Sequence, residues 1–194
     1  KFRLNVIPTV SRELPTRPFI QWEFDGTPAD VWVNIGGKIG QKAYLLPVVD
    51  LHSCYMWLHV VPIRDNKGAE TSENIIEAIR QAILNCGFKP SSISMDAGAA
   101  NDVVKGWCES KGIQVFTARV GNARQKPIER ILGDFNMNFE SKIVNPETRV
   151  SVWNGGNRYA VKGKNSRPSD EAVREGKHEN NALTFWQAKA ELLK

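Results

Sequence analysis

The 194-residue sequence lacks long hydrophobic runs, is poor in cysteine and carries little excess charge, and each shortage narrows what the chain can be. A membrane-spanning helix needs about 20 consecutive apolar residues. The best apolar stretches here, such as 44–49, are broken by proline or by charge. No membrane partner is expected. Three cysteines (Cys54, Cys86 and Cys108) are odd in number and widely spaced, which argues against a disulfide framework and suits a reducing cytoplasm. No basic-then-apolar leader precedes the chain, and its first residue is Lys1, so it reads as an excised fragment. Internal repeats and a helix-turn-helix pattern are also missing.

What is present is globular. The chain is 41% hydrophobic and 24% charged, values that exclude wholesale disorder. The formal net charge is +5, which leans toward polyanions. Residues 1–141 are almost balanced, with 16 basic against 15 acidic side chains, whereas residues 142–178 carry 8 against 4. The sequence therefore divides into an extended, proline-containing leader (1–18), a core (19–141), and a basic C-terminal extension (142–194) that is either a solvated tail or an arm facing a polyanion.

Periodicity places the elements. Residues 19–25 alternate, with Ile20, Trp22 and Phe24 on one side and Gln21, Glu23 and Asp25 on the other, which predicts a half-buried strand. Two further strands over 43–49 and 55–63 continue an antiparallel meander. A helix follows from Thr71 or Ser72 to Gly87, with Ile75, Ile79 and Ala82 on its inner face. Then come a strand at 92–96, a helix over 102–111 burying Val103, Val104 and Trp107, and a strand at 113–117. Pro127 suits the first turn of the last core helix, whose stripe is Ile128, Ile131, Leu132, Phe135 and Phe139, with Asn136 toward its polar side. Residues 149–153 and 158–161 could form a hairpin, and a terminal helix starts at Thr184 with Gln187 completing a capping box. The order predicts an α/β fold, a mixed five-stranded sheet flanked by helices.

Asp25 and Asp96 each close a strand, and Glu129 lies on the last core helix. Strand-end acids are ordinarily turn residues, and a helix Glu is ordinarily solvated. If the first and fourth strands are parallel neighbours, however, both aspartates emerge where open α/β sheets bind ligands. Three carboxylates are also the oxygen donors that Mg²⁺ prefers. His52, Cys54 and His59 hint at zinc, but no fourth ligand accompanies them at finger spacing.

The segments Trp22-Glu23-Phe24-Asp25-Gly26-Thr27, Leu46-Pro47-Val48-Val49-Asp50-Leu51-His52-Ser53, Ser94-Met95-Asp96-Ala97-Gly98-Ala99-Ala100-Asn101 and Gln125-Lys126-Pro127-Ile128-Glu129-Arg130 follow one another in this order. Together they resemble the DDE transposase and retroviral integrase catalytic core, nearest to the bacteriophage Mu transposase branch. The resemblance covers about residues 18–140 and implies a ribonuclease H-like fold. It also implies a catalytic, metal-binding triad of Asp25, Asp96 and Glu129. Seventy residues separate the two aspartates and 32 separate Asp96 from Glu129, a second gap shorter than the family's, so the loop before the glutamate is trimmed. Asp50 matches a family aspartate that is not a ligand.

The resemblance further implies strand cleavage and strand transfer on double-stranded DNA (transposon ends and target) by a homo-oligomer in a bacterial or phage-infected cytoplasm. Two Mg²⁺ ions, replaceable by Mn²⁺, would serve as cofactors. Arg124, Lys126 and Arg130 lie where they could touch DNA phosphate or merely pair along the helix. Two rival readings stand beside it. One is a ribonuclease H-like nuclease or resolvase, which would want a fourth carboxylate. The other is a non-catalytic, transposase-derived DNA-binding subunit.

Overall fold

The computed structural model describes residues 15–40, 43–63, 70–99, 101–117, 127–147, 149, 151–153 and 182–194. Strands β1 (Gln21–Phe24), β2 (Thr27–Pro28), β3 (Val33–Ile35), β4 (Lys38–Gly40), β5 (Ala43–Asp50) and β6 (Met56–Pro62) precede helix α1 (Ser72–Cys86). Then follow β7 (Ser92–Met95), α2 (Asp102–Ser110), β8 (Gln114–Thr117), α3 (Pro127–Asn138), a 3-10 turn (Glu140–Lys142), β9 (Leu183–Thr184) and α4 (Phe185–Leu192). The chemistry of the helix ends explains their bounds. Thr71, Asn101 and Thr184 accept backbone N–H bonds as N-caps, and Gly87 ends α1 in the left-handed conformation at φ 75°.

The main sheet has six strands rather than the expected five. β6 runs along one edge of β5, while β1 and the two-residue β2 share the other. β1–β5 and β5–β6 are antiparallel, but β1–β7 and β7–β8 are parallel. A second sheet, β4-β3-β9, was not anticipated, because its strands are only two or three residues long and show no readable alternation.

The pleat sends alternate residues to opposite faces. One face, with Trp22, Phe24, Leu46, Val48, Ile93 and Met95, packs under α1 and α2 around Ile75, Ile79 and Val104. Ala43, Leu45 and Val60 lie in a second cluster with Val31, Val33, Ile143, Val152, Leu183, Ala188 and Leu192. Residues from beyond position 141 thus help to close the second core.

Three expectations change. β1 is not half-buried: Glu23, read as outward, is 1% exposed. Val103 is exposed and Cys108 takes its place inside, because the inner face of α2 turns by one residue. Asn136, assigned to the polar side of its helix, is buried. Ser151 and Trp153 bridge to Val144 and Val31, and the expected hairpin of 149–153 with 158–161 lies outside the described residues. Among the described residues, no helix is long and apolar enough to cross a membrane.

Candidate active site

The site is built on the parallel pair β1 and β7. Their register sets Gln21 beside Ser92, Trp22 beside Ile93 and Glu23 beside Ser94. Asp25 and Asp96 directly follow these two strands, so both leave the sheet at the same edge. Asp96 is held in a local turn, its Oδ1 accepting the Ala99 N–H at 2.9 Å. The condition attached to the two aspartates, adjacent parallel strands, is met by the topology.

A carboxylate that the sequence did not single out, Glu70, also stands at this edge. Tyr44 on β5 donates its hydroxyl to Glu70, which lies just before α1. A Cβ at Gly26 would fall 1.8 Å from Glu70 Oε1 and 2.8 Å from Tyr44 Cε1. The backbone next to Asp25 can therefore carry no side chain without displacing both groups. Burial raises the pKa of the Tyr44 phenol well above its ordinary value, and the negative charges of Glu70, Asp25 and Asp96 add to the effect. The hydroxyl stays protonated and available as a donor.

Glu129 sits in the first turn of α3, half-buried. Among the described residues, no three His, Cys, Asp or Glu side chains stand close enough to hold a metal ion. Of the expected triad, Asp25 and Asp96 directly follow adjacent parallel strands, and Glu129 lies in the first turn of α3. By donor chemistry the pair suits a hard divalent cation, which takes carboxylate oxygens and keeps several waters.

Two buried carboxylates hold α3 at its ends. At its start, the Ile128 N–H donates to Glu23 Oε2 at 3.1 Å, and Ser94 Oγ donates to Glu23 Oε1 at 3.4 Å. Near its end, Asn136 Nδ2 donates to Asp30 and to Glu140, and the Asp30 N–H donates to Glu140 Oε1 at 3.2 Å. Burial pushes the Glu140 pKa up to about 7, although the Asn136 hydrogen bond pulls the other way.

Asp50 is fully buried and structural. Its oxygens accept the N–H of Phe19 at 2.8 Å and both the N–H and hydroxyl of Ser53, at 2.9 and 2.6 Å. His52 contacts the Pro15 carbonyl at 2.8 Å. Arg130 is exposed on α3, whereas Arg124 and Lys126 lie outside the described residues.

Sequence reasoning missed Glu70, Tyr44 and the role of Glu23. Gly26 directly after Asp25 was a signal of close approach, but nothing in the sequence said what approaches. The alternation of β1 marked Glu23 as solvent-facing, because the helix that covers it comes more than 100 residues later.

The family model described as "Integrase core domain" matches residues 15–123, more than half of the chain. Among solved structures, the chain is similar to one in the simian T-cell lymphotropic virus intasome in complex with PP2A regulatory subunit B56 gamma. That match has TM-score 0.53 and 19% identity, covering 67% of this chain and 42% of that one. The HTLV-2 integrase catalytic core domain in complex with magnesium, in its dimeric form, matches with TM-score 0.46 and 24% identity, over 64% of this chain and 71% of that one. The chain thus spans well under half the length of the intasome chain. No curated protein sequence matches it. The fold is the ribonuclease H-like fold of the integrase cores.

Proposed function

The chain belongs to the integrase core domain family, and from that premise we propose that it is the catalytic core of a DNA transposase or integrase of the Mu-like branch, cutting and joining DNA strands with Asp25, Asp96 and Glu129. The observation that carries this reading is the placement of Asp25 and Asp96 at the ends of adjacent parallel strands. Asp25 and Asp96 would hold Mg²⁺, and Glu129 would complete the set from α3. When bound, two such ions would supply activation of the attacking hydroxyl and stabilisation of the leaving oxygen.

The chain's own residues do the rest. The Ala99 N–H fixes the Asp96 carboxylate, and Tyr44 keeps Glu70 tied beside Gly26. Arg124, Lys126 and Arg130 around the start of α3 would take DNA phosphates, the largest share of affinity for such a partner. The protein would work as a homo-oligomer on double-stranded DNA.

The test is joining of pre-cut transposon ends by the full-length protein in Mg²⁺. Asp25→Asn, Asp96→Asn and Glu129→Gln should each abolish joining while leaving DNA binding in place, and double variants should be no worse than single ones. Near-normal joining by any of the three overturns the assignment. Glu70 supports a second reading, a ribonuclease H-like nuclease, as the fourth carboxylate such enzymes want. Cleavage of an RNA–DNA hybrid without any joining would favour it.

A further inference from the structure

Glu23 is a carboxylate with 1% exposure in the middle of a sheet. Burying a charge there is unfavourable unless it is well paired, and an apolar residue would pack the position without that penalty. Its partners indicate what it gains. Pro127 opens α3 and has no N–H, so the Ile128 amide is the first donor of the helix, one that has no partner within the helix. That amide points to Glu23 Oε2 at 3.1 Å, and a carboxylate at a helix N-terminus also meets the positive end of the helix dipole. Glu23 Oε1 faces the Ser94 hydroxyl at 3.4 Å. Glu23, Ser94 and Ile128 precede Asp25, Asp96 and Glu129 by two, two and one residues. One buried side chain thus touches all three elements that carry the proposed triad, each within two residues of its acid.

We infer that Glu23 is a positioning residue that docks the start of α3 on β1 and β7, and so sets Glu129 over Asp25 and Asp96. The inference rests on the proposed catalytic reading for its consequence, but not for the docking itself. Because Glu129 rides in the first turn of α3, its approach to the aspartates depends on where α3 begins. A group fixing the first amide of that helix controls this directly.

The experiment compares Glu23→Gln, which keeps an acceptor oxygen, with Glu23→Met, which keeps the volume and loses the acceptor. Three quantities are read in the full-length protein: joining rate, thermal melting, and hydrogen exchange at the Ile128 amide. Glu23→Met should lose joining by about 100-fold or more and raise the Mn²⁺ concentration needed for half-maximal rate. Its melting temperature should stay level or rise, since apolar replacement of a buried charge is often neutral or stabilising. Exchange at Ile128 should accelerate at least tenfold. Glu23→Gln should stay within about tenfold of wild type in joining and retain Ile128 protection. Joining by Glu23→Met at the wild-type rate, or parallel losses of joining and melting in both variants, would overturn the proposal. If wild type itself joins nothing, the catalytic reading has failed, and hydrogen exchange alone decides. Unchanged protection of Ile128 in Glu23→Met would then refute the docking role.

Discussion

The two faces of the main sheet are built by different rules. Under α1 and α2 the packing is apolar: Trp22 lies against Trp57 with ring centroids 4.7 Å apart, and Phe24, Ile93 and Met95 are sealed beneath Ile75 and Ile79. The opposite face is divided. Its β5–β6 half is apolar and closed by Leu183, Ala188 and Leu192, but its β1–β7 half presents Glu23 and Ser94 and is covered by α3. The first face carries stability. The polar half of the second holds the start of one helix through the buried Glu23 carboxylate, and that is the half from which Asp25 and Asp96 emerge. Specific hydrogen bonds fix position where apolar contacts allow sliding, so the costly polar groups stand where geometry matters most.

The largest effect should come from breaking the apolar face. Trp22→Ala removes a fully buried ring and should cost about 3–5 kcal/mol in chemical denaturation. A loss below about 1 kcal/mol would mean that this face does not dominate stability.

A pH response should come from the far end of α3, beyond the helix start that Glu23 holds. The Glu140 pKa is raised to about 7 by burial, so the folded state holds a proton that the unfolded chain gives up above the ordinary carboxylate range. Between about pH 4.5 and 7 the folded state binds more protons, so this group's contribution to stability falls as pH rises, by at most about 1.4 kcal/mol per pH unit. In Glu140→Gln that slope should vanish from melting curves taken between pH 5 and 8. Identical slopes in wild type and variant would show that Glu140 titrates as an ordinary surface acid.

The smallest effect should appear at the strand ends. If Asp25 and Asp96 meet as proposed they repel without metal, so Asp96→Asn, whose amide oxygen can still accept the Ala99 N–H, should melt slightly higher in EDTA, by about 1 kcal/mol. Millimolar Mn²⁺ should stabilise wild type more than the variant. A variant that melts lower in EDTA, with neither protein responding to Mn²⁺, would make Asp96 a simple turn residue.

Much of the scaffold was legible because its signals are local. The capping box at Thr184, the Thr71 cap, Gly87 and Pro127 act within a few residues, and the periodicity of α1 and β5 follows from burial on a regular element. The short strands β2, β3, β4 and β9 escaped notice because two or three residues carry no period. Glu23 and Asn136 were misread for another reason: a polar residue's partner can lie anywhere in the chain, and theirs are 105 and 106 residues away.

The sequence by itself determined the order of the longer strands and helices, the acids that close β1 and β7, and the helix on which Glu129 rides, since each is written in spacing, caps and composition. The tertiary structure alone decided that β1 and β7 are parallel neighbours, that Glu70 and Tyr44 stand beside Gly26, and that Glu23 faces the first amide of α3 rather than water. Register and burial are properties of pairs of distant segments, and their energies arise only once those segments meet and exclude solvent.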